Sequence, residues 1–174
     1  SSYPAVMVYE QFPMKTSERI LAKDLTKELF KKSIELYCCI FRATFYNIDE
    51  TFTYDHYIST SKCIEKENYK ADNGRLIKAD KITILLTEVD FKIIEKTYKW
   101  DKMTIKNFRR YKKGFLPKDF VMSILDLYEQ KTIYKDDEEH IAVYQNSKEK
   151  LNSCYGMTVT DIIKDMIIYE NDEW

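Results

Sequence analysis

Lys148, Asn152 and Tyr155 follow one another at intervals of four and three, so in a helix all three project from one face, and Tyr144 one turn earlier joins them. An ammonium, an amide and a phenol ring on one face could hold a phosphate, a sugar edge and a base plane together. The same spacing also suits a solvated helix face with one buried tyrosine. A second concentration of chemistry lies between Lys99 and Lys118. Lys102, Lys106, Arg109, Arg110, Lys112 and Lys113 alternate there with Trp100, Phe108, Tyr111 and Phe115 against a single acid, Asp101. Such a stretch could add salt-dependent affinity for a phosphate backbone; it also suits a solvated, hydrophilic strand.

The remaining reactive residues carry less. Asp136, Asp137, Glu138 and Glu139 stand where a helix begins and complement its dipole. His56 and His140 are isolated from any Ser or Cys constellation. Cys38, Cys39, Cys63 and Cys154 have neither metal-type spacing nor a disulfide framework, which fits a reducing cytoplasm. The net charge of -1 over 174 residues argues against a nucleic-acid partner for the chain as a whole, because phosphate binders usually carry a basic excess. The apolar runs Ile82 to Leu86 and Ile162 to Tyr169 fall well short of the roughly 20 residues of a membrane helix. The chain opens Ser-Ser-Tyr-Pro without an initiator Met, an opening expected of a piece of something longer.

Three glycines and three prolines leave no linker or repeat to divide the chain, so the elements come from periodicity. Ser17, with Leu21, Leu25, Leu29 and Phe30 after it, predicts a helix over 17–33, and the β-branched and aromatic residues of 34–48 predict a strand. Asp72-Asn73-Gly74 predicts a turn closing a hairpin between Tyr69 and Ile77, with a second strand over 81–86. Thr87 and Asp90 form a capping pair ahead of Val89, Ile93, Ile94 and Tyr98, which predicts a helix over 88–97. Residues 102–111 read as a strand ending at Gly114. A helix then starts at Pro117 with Phe120, Ile124, Leu125 and Tyr128 as its buried face, and another runs over 137–155 with Gly156 as its stop. The fold class is α+β.

Residues 148–156 read K-E-K-L-N-S-C-Y-G, which resembles the K-x-x-x-N-S-x-Y-G motif on the fingers helix of family B DNA polymerases. Ser1 to Pro4 read S-S-Y-P, similar to the tail of that family's first palm motif, D-x-x-S-L-Y-P. The order is right, and helix 117–131, ending Leu127-Tyr128-Glu129-Gln130-Lys131-Thr132, resembles the fingers helix that precedes the motif. The separation of the two motifs leaves room for the terminal-protein-region insertion of the protein-primed phage branch. The resemblance therefore implies a partial palm over 1–60, an inserted subdomain over 61–114, a two-helix fingers hairpin over 115–158 and a return towards the palm over 159–174.

It implies roles as well. Tyr3 matches the steric-gate tyrosine that excludes a ribose 2'-hydroxyl, which speaks against an RNA-synthesising relative. Lys148 matches a lysine that meets the incoming triphosphate, and Lys131 a second one, with Lys135 as the substitute. Tyr155 matches the tyrosine that packs on the nascent base pair, Gly156 a glycine that permits close approach, and Asn152 and Ser153 complete the motif. The basic stretch 102–113 lies in or beside the insertion, where the family contacts primer terminus, priming protein or duplex. The implied partners are template-primer DNA, deoxynucleotides and a terminal priming protein, with no membrane. The implied location is the cytoplasm of a bacterial host, with a phage or mobile element as the source. The reaction uses two Mg2+ or Mn2+ ions held by acids of two palm motifs. Neither acid occurs in residues 1–174, so the expectation is an inactive fragment with no catalytic residue, metal site or bound cofactor of its own. The competing class is a noncatalytic DNA- or protein-interaction module.

Overall fold

Within Tyr37–Glu50, alternation over Cys39–Tyr46 places Cys39, Phe41, Ala43 and Phe45 on one face of a strand, all buried, with Ile40, Arg42, Thr44 and Tyr46 on the other. This strand is the middle of an antiparallel sheet. The computed structural model describes residues 3–52 and 56–159. In chain order the elements are α1 (Tyr3–Tyr9), β1 (Phe12–Arg19), α2 (Lys27–Leu36), β2 (Tyr37–Glu50), β3 (Cys63–Asp72), β4 (Arg75–Thr87), α3 (Glu88–Thr97), β5 (Tyr98–Lys99), β6 (Lys102–Gly114), α4 (Lys118–Ile133) and α5 (Ile141–Val159), with a single 3-10 turn at Thr60–Lys62. They form two units, Phe12–Gly114 and Ser1–Gln11 with Phe115–Trp174.

In the first unit the sheet order is β1-β6-β2-β4-β3, with the short β5 paired to β2. The helices α2 and α3 cover the face that carries Phe41 and Phe45. Phe30 of α2 meets Phe41, Phe91 and Phe108 edge-on, at centroid separations of 5.3, 5.1 and 5.8 Å. The Asn73-Gly74 turn has positive φ at both residues, 43° and 74°, as a two-residue hairpin turn requires. Thr87 caps α3 as expected: its Oγ1 accepts the Asp90 N–H, and the Asp90 carboxylate accepts the Thr87 N–H at 2.9 Å. Glu88, buried in the first turn of α3, ties three elements together. Its carboxylate accepts the Cys39 N–H at 2.7 Å and lies 3.7 Å from Lys113 Nζ.

The second unit is helical. Pro117 precedes α4, and a turn over 134–140 returns the chain as α5, so the two helices run antiparallel with Ile124, Ser147 and Leu151 buried between or beside them. Ser147 Oγ donates to Gln130 Oε1 across the hairpin at 3.0 Å. The short helix α1 packs against both, burying Pro4 and Met7.

The α+β class stands, and the structure corrects four expectations in detail. No helix spans 17–33, because Ser17 to Arg19 belong to edge strand β1 and α2 starts at Lys27, where Thr26 Oγ1 accepts the Leu29 N–H at 3.1 Å. Gly156 does not stop α5, which runs on to Val159. Of the face predicted for α4, only Ile124 is buried outright, while Leu125 and Tyr128 are 40% and 45% exposed. The division at 60/61 is absent, since β2 pairs with both β4 and β6 in one sheet; the unit boundaries fall at 11/12 and 114/115. The hairpin at 73–74, helix 88–97 and the strand ending at Gly114 are where periodicity put them. Ser1, Ser2 and the segment 160–174 lie outside the described residues.

Candidate functional site

The helical unit brings Tyr3 onto the motif helix. Tyr3 OH donates to Asn152 Oδ1 across 149 positions of sequence, and the Tyr3 ring stacks on Tyr155 with centroids 4.7 Å apart and planes 24° apart. Asn152 and Tyr155 share the stripe of α5 that Lys148 begins. Lys131 joins that side through hairpin geometry. Gln130 and Ser147 face each other, and the next residue on each helix turns about 100° round its axis. Because α4 and α5 run in opposite directions, both turns carry the lysine to the same side. Each ammonium also sits over a tyrosine of its own helix, Lys131 over Tyr128 at 5.5 Å and Lys148 over Tyr144 at 5.8 Å. Lys135 lies beyond the C-terminal residue of α4 and is exposed.

One side of this unit therefore presents two ammonium groups, an amide and two stacked phenol rings. Among the described residues, nothing outside its own helix backbone lies within 4 Å of the position a Cβ would take on Gly156. Ser153 is exposed on α5. The acids of 136–139 precede α5 rather than sit in its first turn. Asp137 accepts the Glu139 and His140 N–H groups at 3.0 and 3.3 Å and contacts His140 Nδ1 at 2.8 Å, which holds its carboxyl below the ordinary value.

In the sheet unit the six basic residues of β6 divide. Asn107 adopts φ 54°, and the register between β2 and β6 breaks there, so that Arg42 pairs with Lys106 and Ile40 with Arg109. This bulge keeps Lys106 and Arg109 on one face although they are three apart. Lys102, Lys106 and Arg109 thus lie on the sheet face away from α2 and α3, and none has an ion-pair partner among the described residues. Arg110 and Lys112 register with Cys39 and Tyr37 instead. The Arg110 guanidinium pairs with Glu18 at 2.8 Å, donates to Ser33 Oγ at 3.3 Å and lies over the Tyr37 ring at 4.6 Å. Its hydrogen bond holds the Glu18 carboxyl low. Lys113 is held by Glu88. Two cations that sequence reasoning missed stand on the open face: Arg42, opposite Lys106, and Arg19, opposite Arg109. Only the cross-strand register could have found them.

Three of the cysteines, Cys38, Cys39 and Cys63, are held as thiols. Burial first, and then the Glu88 carboxylate, push the Cys39 thiol up to about 12, and the same causes raise Cys38. Burial likewise raises Cys63. Among the described residues no three His, Cys, Asp or Glu side chains come together as a metal site. No described helix is long and apolar enough to cross a membrane.

Comparison with solved structures finds this arrangement of elements in Phi29 DNA polymerase. Its orthorhombic crystal form superposes with a TM-score of 0.63 at 21% identity, over 92% of this chain and 25% of that one. Its complex with primer-template DNA and incoming nucleotide substrates gives 0.64 at 19%, over 88% and 24%. The fold is that of a part of Phi29 DNA polymerase. The chain spans about a quarter of the length of these structures. No family model matches it, and no curated protein matches it significantly.

Proposed function

We propose that residues 1–174 are the nucleotide-facing and inserted part of a protein-primed family B DNA polymerase. The observation that carries this reading is the closure of Tyr3 on Asn152 and Tyr155. The two sequence motifs that resemble the family lie at opposite ends of the chain, and they meet at the residues that would flank one incoming nucleotide. Tyr3 acts as the sugar gate, Lys148 and Lys131 meet the triphosphate as fixed positive charges, and Tyr155 packs on the nascent base pair beside Gly156. Helices α4 and α5 are the fingers hairpin. The insertion is the whole sheet unit, 12–114, rather than 61–114. The acids that hold Mg2+ or Mn2+ lie outside this chain, and every step that needs those ions belongs to them.

The open sheet face supports a DNA backbone as the second partner. Arg42 opposite Lys106 and Arg19 opposite Arg109 are like-charge cross-strand pairs, which weaken a sheet. Polyanion binding explains their presence where folding alone disfavours them. The reading frame that encodes this chain tests the proposal. An Asp codon three positions before Ser1 and a Y-x-D-T-D-S-like motif beyond Trp174 are expected. If both are absent, the polymerase reading fails and the interaction-module reading replaces it.

A further inference from the structure

Two contacts of different kinds meet on the half-buried ring of Tyr3. Stacking on Tyr155 sets the plane of that ring but leaves it free to slide and turn within the plane, because the contact changes little along it. The bond from the Tyr3 hydroxyl to the Asn152 amide oxygen is directional and holds the far end. Tyr3 is the first described residue of α1. Without the second contact the ring has several places to go.

We infer that Asn152 is a positioning residue that selects the sugar through Tyr3. This rests on the polymerase reading above. A gate that works by excluding one hydroxyl must be held to within about 0.5 Å, because a ring free to swing admits the larger sugar. Asn152 and Tyr155, at three-residue spacing on α5, fix the same ring at two points. The spacing of N-S-x-Y therefore serves Tyr3 as well as the nucleotide.

Three substitutions separate this role from general stability. Asn152→Leu keeps the shape and removes the acceptor, Asn152→Asp keeps an acceptor oxygen, and Tyr3→Phe keeps the ring and removes the donor. Two quantities are read: the Tyr3 ring signals by NMR in this chain, and the ratio of deoxyribonucleotide to ribonucleotide incorporation by the complete protein. Asn152→Leu and Tyr3→Phe should each lower the ratio roughly 2- to 10-fold, the factor one neutral hydrogen bond supports. The double variant should be no worse than either single one, and Asn152→Asp should restore the ratio. The Tyr3 signals should move towards those of a solvated tyrosine in Asn152→Leu but not in Asn152→Asp. Unmoved Tyr3 signals in Asn152→Leu overturn the inference, as does a released ring with an unchanged sugar ratio. If the unsubstituted complete protein incorporates no nucleotide at all, the polymerase reading falls and the sugar role with it, whereas the ring signals still decide whether Asn152 holds Tyr3.

Discussion

At the scale of single residues, Lys148 is the most exacting assignment, because it is exposed and, among the described residues, its ammonium rests on Tyr144 rather than in the helical core. Lys148→Ala should leave folding and DNA binding nearly unchanged and weaken nucleotide use by about 1.5–3 kcal/mol, the range for a bond to a charged group. Steady-state KM for the nucleotide reads this directly. Gly156→Ala should split stability from function. Among the described residues, a Cβ there meets nothing outside its own helix backbone within 4 Å, so α5 should gain roughly 0.5–1 kcal/mol of helix propensity by thermal unfolding, while close approach of a base pair suffers and nucleotide KM rises. The stripe Lys148-Asn152-Tyr155 was legible because helical spacing is local. Tyr3 was legible only as part of a motif, since no periodicity reports a contact across 149 positions. The commitment of Arg110 to Glu18 and of Lys113 to Glu88 was not legible at all, because composition counts charges without their partners.

At the scale of elements, the cap of α3 is the best-specified junction, and its titration has a definite sign. Burial alone would raise the Asp90 carboxyl, but hydrogen bonds from Tyr57 and Thr87 together hold it below its ordinary 3.8. That contribution is present above the unfolded value and is lost as pH falls below it. Tyr57, half-buried and donating to Asp90 at 2.5 Å, is pushed up to about 12 from 10.0, so its contribution is lost as pH rises between those values. Melting temperature against pH should therefore lose part of its alkaline limb in Tyr57→Phe, the rest belonging to the buried cysteines and Tyr98, and part of its acid limb in Asp90→Asn. Replacing Asp90 with Ala should cost about 1 kcal/mol at neutral pH. This cap and the Asn73-Gly74 turn were read correctly because their signals are local sequence pairs. The false helix over 17–33 came from Leu21 and Leu25 falling at helical intervals, and neither starts a helix once β1 pairs with β6 and Thr26 supplies the cap. Which face Lys106 and Arg109 share depends on one left-handed residue, Asn107, and no alternation pattern encodes it.

At the scale of the whole molecule, the net charge of -1 conceals a sheet face on which five cations have no ion-pair partner among the described residues. Removing one of a like-charge pair should help the fold and harm the function. Arg42→Gln is expected to raise the stability of the sheet by a few tenths of a kcal/mol, to weaken DNA binding, and to reduce the slope of log affinity against log salt by about one. The boundary at 114/115 was legible from the change of period at Gly114. The one at 11/12 was not, because Phe12 leaves α1 for an edge strand without a glycine or a linker. The central claim is that this fold, shared with part of Phi29 DNA polymerase, places Tyr3 against an incoming deoxynucleotide. The most direct measurement is primer extension by the complete reading-frame product, with deoxyribonucleotides and ribonucleotides in parallel, for the unsubstituted protein and for Tyr3→Ala. The predicted result is deoxyribonucleotide synthesis by both and a sharp rise in ribonucleotide incorporation in Tyr3→Ala alone. Equal sugar selectivity in the two proteins would contradict the account.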